Sequence, residues 1–184
     1  MMPIIRKARA DDLQKIQALY KKVARLSGGI ARREQEITLP YIRHFMKKSK
    51  ESGFNLVVDH PQNPRQIIGE IHCYTLEPSA FSHVLGELTI AVDPDFHGQG
   101  IGKNLFSTLF SHIQQHRPDI FRVELYTNEK NIKALALYER MGFVREGRLA
   151  GKIRVHNGNI EADIPMAWFN PNYTHPTAFS THGK

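Results

Sequence analysis

The sequence predicts an α+β fold with a mixed sheet. First, its 184 residues and 41% hydrophobic composition suit one ordinary globular domain. Second, segments with helical spacing of apolar residues and β-rich segments follow one another in the order β-α-α-β-β-β-α-β-α-β-β. Consecutive strands without a helix between them, combined with strand–helix–strand units, indicate a sheet with both antiparallel and parallel neighbours.

The first third of the chain is predicted to form one strand and two helices. Residues 4–8 form a short strand candidate, and Asp11 begins a helix in which apolar residues recur at helical spacing. The Ser-Gly-Gly segment at 27–29 then interrupts that helix. A second helix begins at Thr38, with Pro40 in its first turn, and ends in a run of lysines before Gly53.

The remaining segments predict six further strands and two further helices. The strands are Phe54–Val58, Gln66–Thr75, Leu85–Val92, Phe121–Tyr126, Phe143–His156 and Ile160–Trp168. The helices are a strongly amphipathic one with its buried stripe from Ile101 to Ile113, and Asn131–Met141, stopped by Gly142. The last two strands are expected to form a hairpin, because Asn157-Gly158 suits a type I′ turn.

Composition limits the classes of function. The 25 Lys+Arg and 18 Asp+Glu give a net charge of +7, which suggests an anionic partner without identifying it. The one cysteine, Cys73, excludes an internal disulfide and a cysteine-rich zinc module. The sequence shows no secretory signal, and its apolar runs are all much shorter than the ~20 residues of a membrane span. We therefore predict a cytoplasmic protein. Residues 1–169 are taken as the domain and 170–184 as a loose polar tail.

A glycine-rich loop at residues 92–103 carries the most information. A strand ends, glycines remove side chains from the turn, and a long helix begins, which is an arrangement that binds phosphate through backbone N–H groups. A P-loop would need Gly at position 97 and Ser or Thr at 104, but the chain has His97 and Asn104. A dinucleotide-binding fingerprint fails on its glycine spacing, although Glu124 lies roughly where a ribose-binding acid would sit.

Two segments together resemble the GNAT superfamily of N-acetyltransferases. His97-Gly98-Gln99-Gly100-Ile101-Gly102 is similar to its acetyl-CoA signature R/Q-x-x-G-x-G/A, with His97 where Arg or Gln is usual. The run Asn131–Phe143 is similar to the family's N-x-x-A-x-x-L-Y-x-x-x-G-F. In physical terms, Asn131 caps a helix on which Ala134, Leu137 and Tyr138 share one face. The resemblance implies a mostly antiparallel sheet of about seven strands flanked by about four helices.

The resemblance also implies acetyl-CoA as co-substrate, without a metal. The expected acetyl-CoA-binding residues are Ile90, Ala91, Val92, His97, Gly98, Gln99, Gly100, Ile101, Gly102, Lys103, Asn131 and Tyr138. The end of the strand at Ala91-Val92 is expected to splay from its neighbour and to pair with the amides of pantetheine. Three lysines near the phosphates, Lys103, Lys130 and Lys133, are expected to add charge there.

In this family an amine attacks the thioester directly, so Cys73 is expected to be a buried strand residue and not a nucleophile. The predicted catalytic residues are Tyr138, as the proton donor to the thiolate, and Glu87, as the base. Strand alternation places Glu87 on the face of Thr89 and Ala91. The next candidates for the base are Glu70 and His72, which share one face of the neighbouring strand.

The expected acceptor is a primary amine of a small molecule, such as an amino acid. The alternatives are acetylation of a protein N-terminus or lysine, and a non-catalytic module that binds acyl-CoA. Residues 28–35, between the first two helices, are where the family usually lines its acceptor site. No nucleic acid or membrane partner is expected, because the short basic runs lack aromatic interleaving, whereas a homodimer is common in the family. His112 and His116 are interpreted as surface residues, because no Glu follows His112.

Overall fold

The computed structural model describes residues 4–26, 29–155 and 157–174. In chain order the elements of these ranges are β1 (Ile5–Lys7), α1 (Leu13–Ala24), α2 (Leu39–Ser52), β2 (Gly53–Asp59), β3 (Ile67–Thr75), β4 (Val84–Val92), α3 (Ile101–His116), β5 (Arg122–Asn128), α4 (Ile132–Arg140), β6 (Val144–Arg145), β7 (Leu149–Arg154) and β8 (Ile160–Phe169). The predicted α+β class is confirmed.

The strands form one mixed sheet in the order β1-β2-β3-β4-β5-β8-β6, and β7 also pairs with β8. The β4–β5 pair is parallel and the other pairs of the described strands are antiparallel. The described ranges contain eight strands, one more than predicted, because the predicted strand 143–156 is divided into β6 and β7. Opposite this break lies Pro165 of β8, which lacks an N–H for a ladder bond, and Gly147 approaches its ring.

Helices cover both faces of the sheet over separate hydrophobic clusters. On one face, α3 and α4 pack on a cluster that includes Leu85, Leu88 and Phe106. On the other face, α1 and α2 pack on a second cluster, the α1–α2 cluster, which includes Tyr20 and Ala91. No helix within the described ranges has both the length and the apolar character that a membrane span requires.

A bulge interrupts β4, which lies in the interior of the sheet. The register between β3 and β4 shifts between His72 and Tyr74, so two β4 residues, Glu87 and Leu88, lie opposite one residue of β3. Glu87 has a φ of 51°, in the left-handed region that non-glycine residues rarely occupy. Such a local strain persists only where the surrounding structure holds it, which makes this bulge a candidate for a functional position.

Strand β4 separates from β5 immediately before the bulge. Their parallel pairing comprises only Val84 and Leu85 with Arg122 and Val123, although both strands continue beyond these residues. The splay expected from the family resemblance is therefore present, and it leaves one edge of β4 without a partner strand from residue 86 onward.

The carboxyl-terminal hairpin differs in its turn from the prediction. Gly158 has a positive φ of 86°, and the Val155 N–H donates to the Asn159 carbonyl at 3.0 Å. The strands therefore close at the pair Val155 and Asn159, and the turn is not a two-residue type I′ turn on Asn157-Gly158. The Asn157 side chain accepts the Asn159 N–H at 3.0 Å, which stabilises this turn. His156 at the end of the predicted strand lies outside the described residues.

Residues 170–174 pack against the domain. Asn170 is 5% exposed and donates to the Ile120 carbonyl at 2.9 Å, and the Tyr173 ring lies 5.0 Å from that of Phe121. The rest of the expected tail, 175–184, lies outside the described residues, as do residues 27 and 28 of the predicted helix break.

Candidate functional site

The glycine loop presents an uncapped helix end to solvent. Gly98 and Gly100 have φ values of 77° and 78°, and a Cβ at either would meet no atom within 4 Å. No side chain caps the amino terminus of α3, so its first backbone N–H groups remain available to a ligand. Residues 97–100 and Lys103 are exposed. An open, positively polarised end of this kind suits the phosphates of a ligand.

Gly102 has a different role, which is close packing. A Cβ at this position would lie 3.3 Å from Leu137 Cδ2 of α4 and within 4 Å of the side chains of Ile90 and Val92. The first turn of α3 therefore lies against both α4 and the free edge of β4. This contact brings the two motifs that were recognised in the sequence into one site.

The segment before the loop is tied to α1 by an ion-pair network that sequence reasoning missed. Asp93 is 1% exposed, and Lys22 Nζ lies 2.6 Å from Asp93 Oδ1 and 2.7 Å from Asp95 Oδ2. Asp93 also accepts the Asp95 N–H at 3.0 Å and the Gln66 amide at 3.2 Å. Because Lys22 lies about 70 residues away in sequence, its spacing gives no local signal for this contact.

His97, the departure from the family signature, closes the loop. Its Nε2 lies 3.0 Å from the Val92 carbonyl oxygen. Asp93 N–H donates to Ile68 on β3, so strand alternation directs the backbone groups of Ile90 and Val92 to the free edge. Ala91, by contrast, is 1% exposed and packs its side chain under α1 and α2.

Helix α4 places Tyr138 beside the core of the α3 face. Asn131 caps the helix as predicted, accepting the Ala134 N–H at 3.2 Å, and Gly142 ends it with a φ of 92°. The Tyr138 ring packs edge-on against Phe106 and Phe143 at 5.7 and 5.9 Å. Burial raises the pKa of its hydroxyl to about 12. Among the described residues this hydroxyl has no hydrogen-bond partner, so it is a protonated donor without a protein acceptor.

Glu87 is exposed on the opposite face of the sheet, near three tyrosines. Burial raises the pKa of Tyr74, and the charge of Glu87 raises it further. Glu87 also contributes to the raised pKa values of Tyr41 and Tyr126, after larger contributions led by burial. We call Tyr41, Tyr74, Tyr126 and Glu87 the tyrosine wall. The three tyrosines were not expected here, because only the bulge and the splay bring them around Glu87.

The alternative base candidates, Glu70 and His72, lie deeper under the helices. Tyr20 hydroxyl donates to Glu70 Oε2 at 2.5 Å, and His72 Nδ1 lies 3.1 Å from Glu70 Oε1. Tyr20 and Glu70 are 0% exposed and His72 is 3% exposed. The Phe45 ring stacks on the imidazole at 3.8 Å. These groups therefore form an internal network, and an acceptor has no direct access to Glu70.

The three predicted phosphate lysines differ in their surroundings. Lys130 Nζ lies 2.7 Å from Glu161 Oε1, so it is already paired. Lys103 and Lys133 are exposed, and neither has a carboxylate within ion-pair distance in the described part of the chain. These two lysines are the available cations near the glycine loop and the start of α4.

Two other sequence interpretations concern groups outside this site. Cys73 is 0% exposed, and burial raises the pKa of its thiol to about 12, which removes it as a nucleophile at neutral pH. His112 is half-buried against Phe54, with its ring 6.3 Å away, and His116 is exposed. The described residues contain no group of three or more side chains arranged to hold a metal ion.

Comparisons with known proteins show which proteins this chain resembles. A mycothiol acetyltransferase of Salinispora tropica is 39% identical over 95 residues, which are 51% of this chain and 29% of that protein. The N-alpha-acetyltransferase 30 of Saccharomyces cerevisiae is 29% identical over 121 residues, which are 63% of this chain and 67% of that protein. The chain thus spans less than a third of the length of the first relative.

Among solved structures, a phosphinothricin acetyltransferase of the GNAT superfamily from Sinorhizobium meliloti, in complex with AcCoA, has the same fold. It superposes with a TM-score of 0.82 at 20% identity, covering 96% of this chain and 94% of the other. The sequence profile of the acetyltransferase (GNAT) family matches residues 11–143, which span both motifs of the site. The chain therefore belongs to the GNAT family of acetyltransferases.

Proposed function

We propose that this protein is an N-acetyltransferase that moves an acetyl group from acetyl-CoA directly to a primary amine of a small molecule. One observation carries the proposal: the uncapped end of α3, opened by Gly98 and Gly100, lies beside the unpaired edge of β4. A phosphate cradle next to a free strand edge suits a ligand that has phosphates at one end and amides along its length.

Acetyl-CoA is expected to bind along this surface. The pyrophosphate lies at the backbone of residues 98–103, and Lys103 adds positive charge. The pantetheine amides pair with the free backbone groups of Ile90 and Val92, where β5 has separated from β4. Because His97 already lies against the Val92 carbonyl, the Ile90 groups and the Val92 N–H are the freer partners.

The proposed chemistry is direct transfer. The acceptor ammonium loses one proton, and its nitrogen attacks the thioester carbonyl carbon. The C–S bond then breaks, and the nitrogen loses a second proton as the amide forms; this proton replaces, through solvent, the one that Tyr138 gives to the thiolate. Tyr138 donates a proton to the leaving thiolate, a role that fits a hydroxyl that keeps its proton and has no hydrogen-bond partner among the described residues. Glu87 accepts the proton of the acceptor through water, because its carboxylate is exposed to solvent.

The acceptor is proposed to be small. Tyr41 and Tyr74 of the tyrosine wall are partly buried against the hydrophobic cluster of α1 and α2, whereas Tyr126 is 55% exposed. Three aromatic rings around one exposed carboxylate suit a compact cationic amine. The match to an N-alpha-acetyltransferase of yeast supports a second candidate, acetylation of a peptide amino terminus.

A CoA-release assay tests these proposals. The protein is incubated with acetyl-CoA and one amine at a time from amino acids, polyamines, aminoglycosides and amino-terminal peptides, and free thiol is measured. Stimulation by small amines is the expected result. Stimulation by peptides alone would replace the small-molecule acceptor by a protein acceptor. Acetyl-CoA binding with no release in any mixture would favour a non-catalytic binding module.

A further inference from the structure

Arg32 is an exposed cation placed at the acceptor side of the molecule. It lies between α1 and α2, in a segment that is fixed at several points. Ile30 packs against the α1–α2 cluster, Ile37 is 1% exposed, and Gln17 donates to the Ile37 carbonyl at 2.9 Å. The position of Arg32 is therefore set by the fold and not by a free loop.

The Arg32 guanidinium lies on the ring of Tyr41, 4.0 Å from its centroid. A guanidinium held over an aromatic face still has N–H groups with which it can bind an anion. No carboxylate of the described residues lies within ion-pair distance of Arg32, whereas the nearby Arg25 pairs with Glu34 at 2.6 Å. Arg32 is thus oriented by the side chain of Tyr41, and its guanidinium has no carboxylate partner among the described residues.

Tyr41 connects Arg32 with the tyrosine wall. Tyr41 and Tyr74 both pack against the α1–α2 cluster, and Tyr74 pairs with Gly86, the residue before Glu87. Burial raises the pKa values of both phenols; the charge of Arg32 lowers them, and that of Glu87 raises them. The two tyrosines are therefore within electrostatic range of a cation and of an anion.

A site with a carboxylate and an unpaired guanidinium complements a ligand with both charges. An amine faces Glu87, and an anionic group on the same molecule faces Arg32. A planar guanidinium binds a carboxylate through two parallel N–H···O bonds. An uncharged or purely cationic amine would leave Arg32 without such a partner.

We propose that Arg32 recognises the carboxylate of the acceptor, so that the substrate class is a small primary amine that also carries a carboxylate, as a free amino acid does. This inference rests on the proposed acetyltransferase function and names its acceptor more closely. Arg32 is then a specificity-determining residue, and the loss of its charge is expected to affect acceptor KM more than kcat.

The test pairs each acceptor with its neutral analogue. CoA release is measured for α-, β- and γ-amino acids, for the corresponding carboxamides, and for peptides that begin with the same residue. The free amino acid whose spacing between amine and carboxylate suits the site best is expected to have a kcat/KM about 10 to 100-fold above that of its carboxamide. This ratio is the one expected for the loss of a charge-assisted hydrogen bond. The series also measures the span between amine and carboxylate.

The variant Arg32→Gln is expected to remove this preference, raising KM for the amino acid about 10-fold or more and leaving the carboxamide nearly unchanged. Arg33→Gln is the matched control, since Arg33 is also exposed but lies over no aromatic ring of the described residues. Acetylation of amino acids and carboxamides at equal rates, or an unchanged KM in Arg32→Gln, would overturn the inference while leaving the acetyltransferase proposal intact. A preference for peptides would also overturn it, and release with no amine at all would instead count against the proposed function.

Discussion

At the scale of single residues, Tyr138 has the properties of a proton donor. Burial raises the pKa of its hydroxyl to about 12, so the group keeps its proton across the neutral and moderately alkaline range. The packing of its ring against Phe106 and Phe143 fixes its position without using the hydroxyl. The hydroxyl is therefore free to give its proton to a leaving thiolate.

We predict that Tyr138→Phe lowers kcat about 100-fold, in the range for loss of a general acid. In the unaltered protein, kcat should show no alkaline fall near pH 10, the usual tyrosine value, because the donor loses its proton only near pH 12. The measurement is kcat against pH up to about 10.5, with Tyr173→Phe as a control outside the site. An unchanged kcat in Tyr138→Phe would remove this residue from the mechanism.

Glu87 combines a strained backbone with an exposed carboxylate. Its φ of 51° costs a non-glycine residue about 1 kcal/mol, which glycine avoids. We predict that Glu87→Gly raises the free energy of unfolding by about 0.5–1 kcal/mol while lowering kcat/KM, and that Glu87→Gln lowers kcat/KM without that gain. Urea unfolding and CoA release measure the two effects. A less stable Glu87→Gly variant would show that the bulge is not under strain.

At the scale of elements, the loop before α3 depends on two glycines in the left-handed region. We predict that Gly100→Glu abolishes acetyl-CoA binding, because the side chain would project into the open space over the helix end and bring a negative charge there. Gly158→Glu provides the control, since Gly158 also has positive φ, 86°, and no neighbour within 4 Å, but lies in the β7–β8 turn.

The measurement for both glycine variants is acetyl-CoA affinity by calorimetry, with thermal unfolding to record the backbone strain that they share. Loss of affinity in Gly100→Glu alone supports the cradle. Equal affinity in the two variants would refute the placement of the phosphates at α3.

Local periodicity predicted the elements well but not their interruptions. Helix α3 and the cap of α4 follow from spacing and from Asn131, both of which are local signals. The division of the predicted strand 143–156 depends on Pro165 across the ladder, and the bulge at Glu87 depends on register with β3. A contact between distant segments also places Lys22 on Asp93, and a contact between a loop and the helix that follows it places Arg32 on Tyr41. Without homologous sequences, no local pattern reports such pairings.

At the scale of the whole molecule, a buried polar cluster of Tyr20, Glu70 and His72 joins both helices of one face to the sheet. Tyr20 of α1 donates to Glu70 of β3 at 2.5 Å, and Phe45 of α2 stacks on His72 at 3.8 Å. Burial and the Glu70 charge raise the pKa of Tyr20 well above its usual value, so its hydroxyl remains a donor. The carboxyl of Glu70, with 0% exposure, depends on Tyr20 and His72 for its side-chain hydrogen bonds.

This dependence predicts a non-additive effect on folding stability. His72→Leu removes one partner of a fully buried carboxyl and should cost about 3 kcal/mol of unfolding free energy, and Glu70→Leu should be costly for the converse reason. The double variant removes both polar groups, so its cost should be smaller than the sum of the two by more than about 1 kcal/mol. Urea unfolding of the unaltered protein, the two single variants and the double variant gives the coupling energy.

Cys73→Ala combined with Glu70→Leu is the control, because Cys73 is equally buried on β3 but lies in the cluster of the opposite face. The stability costs of these two substitutions should add. Costs of His72→Leu and Glu70→Leu that add within about 0.5 kcal/mol would show that the imidazole and the carboxyl stabilise the fold independently.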